Sequence, residues 1–268
     1  MEQFFVENEG AIRLAAFAGL LALFVSAESL FPRRDRAQPR LRRWTTNGGI
    51  SLLNTLMLRI GGPVLAVGAA AYAQQQGFGV LNMLAVPPLL AFGISVILLD
   101  AAIYAQHVVF HRVPALWRIH RVHHADRDVD ATTALRFHPV EIVLSMIIKI
   151  VLVVVLGAPP AAVIVFEVIL NGMAMFNHAN LRLPLALDRT LRWLVVTPDM
   201  HRIHHSVHIY ETNSNYGFNL SLWDRMFGTY TQTPQDGHDR MAIGLTEFQD
   251  ERPSKLGFSL WLPFFNGR

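Results

Sequence analysis

Histidine recurs at ligand spacing in three places: His107 and His111 in HVVFH, His120, His123 and His124 in HRVHH, and His201, His204 and His205 in HRIHH. On a helix, positions i and i+4 stack on one face with i+3 beside them. Each HxxHH can therefore present three imidazoles from one short helix, and adjacent histidines can serve two metal ions. Imidazole suits iron, zinc, copper and nickel, so spacing alone leaves the metal open. Eight nitrogens exceed what one tetrahedral zinc takes, which favours two six-coordinate metals. The plain alternative is histidines at a membrane surface beside lipid headgroups, and three such clusters in one chain argue against it.

The elements that must carry these clusters are apolar. The 268-residue chain is 52% hydrophobic and 16% charged, against about 25% charged in an average soluble protein. Several apolar runs approach or exceed the roughly 20 residues a bilayer core demands, so a polytopic membrane protein is expected. There is no cysteine, which excludes disulfides, thiolate catalysis and zinc–thiolate sites. The run 11–31 follows Glu2, Glu7 and Glu9 rather than a basic region and is too long for a signal-peptide core, so it reads as a retained transmembrane helix. A second apolar stretch covers about Gly48 to Ala73, contains Arg59, and should kink at Gly61-Gly62-Pro63. Residues 80–88 could be re-entrant or interfacial. A span over about 88–111 ends in the first histidine cluster, and a polar segment, 112–139, follows it. Two further apolar runs form a hairpin that turns at Gly157-Ala158-Pro159-Pro160. The expected fold is all-α: about four transmembrane helices, one segment that could be re-entrant, and a helical cytoplasmic cap holding a dimetal site. Residues 1–87 form an N-terminal transmembrane region and 88–268 the catalytic region.

Six arginines lie between Arg33 and Arg43. The positive-inside rule puts that loop in the cytoplasm. Counting spans from there brings every clustered histidine, and His178, to the cytoplasmic face. The orientation comes from arginines alone, so this convergence is an independent check.

These motifs, in this order on a hydrophobic hairpin scaffold, resemble the fatty acid hydroxylase superfamily, also called the sterol desaturase family. RFHPVE (136–141), FNHAN (176–180), TPDMHRIHHS (197–206), NYGFNLSLWDRMFGTY (215–230) and the closing LWLPF are similar to that family as well. The likeness covers roughly 90–265. It implies a di-iron centre held by histidines, with O2 as co-substrate, that hydroxylates or desaturates C–H bonds of lipids. It assigns His107, His111, His120, His123, His124, His201, His204 and His205 as ligands and His178 as a further one. His138 is either a ligand or a residue that orients one. His208 and His238 fall outside the pattern and should be solvated. Other activities in the same superfamily would be ether-lipid or carotenoid monooxygenation.

Breaking an aliphatic C–H bond lies beyond acid–base catalysis, so the metals must carry that step. No dinucleotide fingerprint is present, so electrons should come from a separate ferredoxin or cytochrome. Arg112, Arg118, Arg121, Arg127 and Arg136 could dock an acidic donor, or could simply reflect positive-inside bias. Asp100, Tyr104 and Asp199 are candidates to support ligand imidazoles, and Asp224 joins them. Asp100 could instead pair with Arg59. Lys149 and Glu167 flank the hairpin turn at equal distance and should form an intramembrane ion pair. A zinc hydrolase would want a glutamate inside a histidine cluster, and a metal transporter or sensor would want a polar path across the bilayer; neither is evident. The partners expected are a lipid, the bilayer and the donor, with no nucleic acid. Compact loops and the absence of an ER-retrieval tail point to a bacterial inner membrane.

Overall fold

The computed structural model describes residues 8–60 and 66–265. Those residues form helices and turns with no β-strand; the extended backbone is limited to isolated bridges such as Val195 with Leu220. In chain order the helices are α1 (Glu9–Leu30), α2 (Arg40–Ile60), α3 (Ala66–Gln75), α4 (Val80–Met83), α5 (Pro88–Arg112) and α6 (Pro114–His124). A 3-10 turn, Ala131–Leu135, precedes α7 (Pro139–Leu156) and α8 (Pro160–His178). There follow α9 (Leu185–Leu191), α10 (Pro198–His204), α11 (Ile209–Thr212), α12 (Leu222–Met226) and α13 (Leu256–Trp261).

Proline sets many of these starts. Pro88, Pro114, Pro139, Pro160 and Pro198 each open a helix. At the first helical position proline's missing N–H costs nothing and its fixed φ is already helical. Gly157 ends α7 with φ +70°, and Gly79 (φ +94°) packs on it so closely that an added Cβ would lie 2.2 Å from Gly157 N. The α7–α8 turn is thus the expected one and is locked to the chain before α4.

Among the described residues, four helices are long and apolar enough to cross a membrane: α1, α5, α7 and α8. They expose large apolar side chains such as Leu14, Ile97, Ile147 and Val155 outward, as helices facing lipid do. An apolar core of Leu99, Val153, Val163, Ile164 and Phe166 joins α5, α7 and α8, with Ala66, Val67 and Ala70 of α3 packed in.

The second apolar stretch is not one helix. It divides between α2 and α3, and the expected kink at 61–63 lies outside the described residues. The first half of α2 belongs to the cap: Arg43, Thr46 and Asn47 are buried and bonded to it. The pair still runs the length of the bundle, because α3 packs beside the α7–α8 turn. Residues 80–88 form only the single turn α4 and the lead-in to α5. At mid-span Lys149 Nζ meets Glu167 Oε1 at 2.7 Å, as expected, and Arg13 of α1 adds a contact to Glu167 Oε2 at 3.1 Å.

The cap lies at the other end. Its apolar core is Ile50, Val122, Ala125, Leu245, Phe248 and Leu262. Glu28, in the last turn of α1, is fully buried and accepts the N–H groups of Ala131 and Asn180, both at 3.0 Å. That anchors α1 to the two segments that follow the histidine helices.

Candidate metal centre

Nine histidines converge inside the cap, and all are buried. Their ring nitrogens form two groups, each within 4.8 Å and each able to hold a metal ion: His107, His111, His120, His124 and His204, and His123, His178, His201 and His205. The helical period explains the split. In each HxxHH the i and i+4 residues turn to one group and the i+3 residue to the other. His120 and His124 join the first group and His123 the second; His201 and His205 join the second and His204 the first.

Hydrogen bonds fix which nitrogen faces inward. Nδ1 of His107 donates to Tyr216 O (2.7 Å), that of His204 to Ser214 O (2.7 Å), and that of His178 to Ala174 O (2.6 Å). Such outer bonds set tautomer and ring orientation in metal sites. The inner nitrogens then point at one another: His107 Nε2 is 3.2 Å from His120 Nε2, and His178 Nε2 is 3.0 Å from the Nε2 atoms of His123 and His201. Among the described residues, nitrogens of His124, His204 and His205 are buried with no hydrogen-bond partner. Buried polar atoms are normally satisfied, so facing lone pairs without donors fit a shared cation. Burial first, then neighbouring imidazoles, holds His123, His124, His201, His204 and His205 well below their ordinary pKa. They are therefore neutral at pH 7, the form that binds metal.

Three supports hold this arrangement. The first is Glu141, whose Oε1 lies 2.7 Å from His120 Nδ1. The second runs through the 215–229 segment. The Asp224 carboxylate accepts the N–H groups of Tyr216 and Gly217, both at 2.8 Å, and the Thr229 hydroxyl at 2.7 Å. This presents Tyr216 O to His107. Burial pushes the Asp224 carboxyl up to about 6, which still leaves it ionised at neutral pH. The third is Arg43, fully buried, with Asp126 at 2.7 and 2.8 Å and Asp130 at 2.6 Å. Burial alone would raise Asp126, but Arg43 and then Arg136 hold it below the ordinary carboxylate range. Asp130 in turn caps the 131–135 turn, accepting Thr132 N at 2.9 Å. Aromatic rings seal the sides: Phe137 stacks on His123 at 4.3 Å and Phe218 sits 5.1 Å from His107.

Several expected residues lie elsewhere. His138 is outside both groups. Its Nδ1 caps α7 by accepting Val140 N, and its Nε2 lies 3.2 Å from Leu260 O, so neither nitrogen is spare. Asp100 meets neither a histidine nor Arg59; it accepts Trp223 Nε1 at 2.7 Å and Leu220 N at 3.3 Å, bracing the segment that carries Phe218. The Tyr104 hydroxyl bonds Thr229 Oγ1 at 2.9 Å, and its ring packs on Tyr216 and Phe227. Asp199 pairs with Arg33 and Arg202 rather than with a clustered imidazole. His208 and His238 are only partly exposed and lie beside Asp236 (2.7 Å) and Asp199 (3.9 Å). Two of the arginines expected to dock a donor are buried. Arg121 holds the carbonyls of Leu262 and Phe265, and Arg136 those of Val122 and Pro253, with burial lowering Arg136 to about 10. Sequence reasoning gave no role to Glu141 or Arg43. Glu141 sits inside the quoted HPVE phrase, three residues after His138, which was its available signal.

A cavity of about 290 Å³ opens beside the first group. His107, His120 and Glu141 line one end, and Arg13, Lys149 and Glu167 line the other. A larger apolar groove of about 870 Å³ lies along the other side of α5, between Val80 and Arg112, and no histidine lines it.

The family model described as fatty acid hydroxylase matches residues 92–229. An ornithine lipid hydroxylase of Rhizobium tropici is 28% identical over 153 residues, covering 56% of this chain and 44% of that protein. An alkylglycerol monooxygenase of Xenopus tropicalis is 32% identical over 148 residues, covering 55% and 31%. A cholesterol 25-hydroxylase of Rattus norvegicus is 26% identical over 144 residues, covering 53% and 47%. The chain thus spans less than half the length of each of these relatives. No solved structure matches it.

Proposed function

The chain belongs to the fatty acid hydroxylase family, and from that premise we propose that it is a multi-pass membrane di-iron oxygenase that hydroxylates a lipid C–H bond with O2. Desaturation is the second outcome the same site could give. The observation that carries this reading is the convergence of nine buried imidazoles into two groups with unpartnered inner nitrogens.

Bound iron would supply the O2 activation that an unactivated C–H bond demands. Everything else falls to the chain. His107, His111, His120, His124 and His204 would hold one ion, and His123, His178, His201 and His205 the other. The carbonyls of Tyr216, Ser214 and Ala174 fix the rings before metal arrives. Trp117, Phe137 and Phe218 keep bulk water from the site. Only the first group borders the cavity, so the substrate's reacting carbon would lie against His107 and His120. Electrons would come from a separate ferredoxin or cytochrome, for which Arg112, Arg118 and Arg127 offer positive charge. The arginines at 33–43 favour a cytoplasmic site at a bacterial inner membrane.

The test is comparative lipidomics in a host fed labelled lipids, with a His204→Ala, His205→Ala variant as control. A lipid gaining one oxygen atom, dependent on O2 and the intact histidines, supports hydroxylation. Loss of two hydrogens supports desaturation. No oxidised lipid from iron-loaded protein supplied with a working donor would refute the proposal.

A further inference from the structure

The cavity beside His107 and His120 has apolar walls, but its histidine end carries polar groups that a hydrocarbon would leave unsatisfied. Asn54 is buried on α2, and its Nδ2 donates to Phe137 O at 2.9 Å, which fixes Oδ1 as the free end. That Oδ1 has no hydrogen-bond partner among the described residues. Glu141 is 4% exposed; its Oε1 is taken by His120 and its Oε2 has no partner either. Both residues line the same cavity, at the histidine end. A buried acceptor pressed against a methylene chain loses its water bond and gains nothing. Two such acceptors, one a carboxylate, ask for a ligand that donates.

The other end of the cavity is different. Each Glu167 oxygen there has a cation beside it, Lys149 at 2.7 Å and Arg13 at 3.1 Å, and Glu9 lies 3.8 Å from Arg13. That network is balanced in charge, so although Glu167 Oε2 has no hydrogen-bond partner of its own, it faces a cation rather than an empty space. Lys149 is eight residues beyond Glu141 on α7, so it lies roughly 12 Å deeper at the helical rise. Between α1 and α2 the lining includes Phe17, Leu58 and the exposed Thr55, with the lipid-facing Leu14 and Met57 alongside. A chain can leave sideways there.

Building on the oxygenase reading, we infer that this cavity receives the polar head of the lipid substrate, a head whose hydroxyl or ammonium groups donate to Asn54 Oδ1 and Glu141 Oε2. The oxidised carbon then lies next to the head rather than at the far end of the tail. The tail leaves between α1 and α2 into the bilayer. Substrates without a donor near the reacting carbon are rejected because they strand both acceptors.

Binding without turnover tests this. The iron-loaded full-length protein in detergent is titrated without O2 or reductant with hexadecane-1,2-diol, its dimethyl ether, hexadecylamine and hexadecanoate. These probes share a chain and differ in the head. The diol or the amine should bind at least about tenfold more tightly than the ether, roughly the value of one hydrogen bond to a charged acceptor. Which of the two wins identifies the hydroxyl or the ammonium as the natural donor. Glu141→Gln should erase or reverse that preference, because its amide can still accept from His120 while presenting a donor to the cavity. Asn54→Leu gives the second reading should Glu141→Gln fold poorly, with metal content and unfolding temperature as controls. Equal affinity for diol, amine and ether, or tightest binding of hexadecanoate, would overturn the inference. So would an unchanged preference in both variants, the outcome expected if the acceptors are merely hydrated. Because no turnover enters this measurement, its failure is separate from a failure of the lipidomics test.

Discussion

Arg43→Leu should be among the most damaging single changes outside the histidines. Arg43 is fully buried and holds two carboxylates, Asp126 and Asp130, that are themselves 2% and 1% exposed. Removing one partner of a buried ion pair costs about 3–5 kcal/mol, because the other charge is left unpaired. For a chain near this size, that corresponds to a fall of roughly 6–20 °C in unfolding temperature. The loss should also reach the site, since Asp126 lies two residues beyond His124 and accepts the Thr133 hydroxyl at 2.9 Å. The assay is thermal unfolding in detergent, read by intrinsic fluorescence, with metal content measured on the same samples. Adding Asp126→Asn to Arg43→Leu should recover part of the loss by removing one stranded charge. If Arg43→Leu unfolds within about 2 °C of the wild type and keeps its metal, the buried network does not hold the site together, and the support assigned to Arg43 is wrong.

Other perturbations separate ligands from bystanders. His178→Ala should lower bound metal, whereas His138→Ala should leave metal content unchanged and cost stability only, through the lost cap on α7. Asp224→Ala should weaken metal affinity by about 10–100-fold through Tyr216 and His107, as loss of outer support does; wild-type affinity would contradict that relay. Lys149→Met and Glu167→Leu should each destabilise the protein, and the double variant should recover most of the loss; additive damage would show that the pair is not coupled. The metal-free protein should weaken in mild acid. In the native state the buried imidazoles of His123, His124, His201, His204 and His205 stay neutral, while the unfolded chain takes up protons below about pH 6.5. Stability is therefore intact above that pH and falls below it, by up to about 1.4 kcal/mol per pH unit for each histidine. A flat profile from pH 7 to 5 would refute the burial argument.

Much of this was legible in the residues, for identifiable reasons. Helical period acts locally, so HxxHH announced a shared face and neighbouring histidines able to serve two sites, while the assignment of each histidine to its group came only with the structure. Apolar runs announce spans, and equal distance from Ala158 paired Lys149 with Glu167. What stayed hidden depended on tertiary packing. His138 looks like a ligand because it is a histidine near the others, yet HP at a helix start made it a cap. Asp100 shares a helical face with His107, but Trp223, far along the chain, reaches it first. Arg121 and Arg136 read as surface charge because an arginine that satisfies four backbone carbonyls between them leaves no trace in the sequence. The 48–73 stretch is apolar enough to suggest one span, but its first polar residues face the cap, and helix α2 begins eight residues earlier.

The central claim is that this chain builds two metal sites from adjacent histidines. The most direct test is the iron content of the purified full-length protein after iron-replete expression, compared with His204→Ala and His205→Ala singly. The account predicts two irons per chain in the wild type, with each variant weakening a different one, because these neighbours belong to different groups. A wild-type protein that binds no metal, or that binds one ion lost equally in both variants, would contradict it.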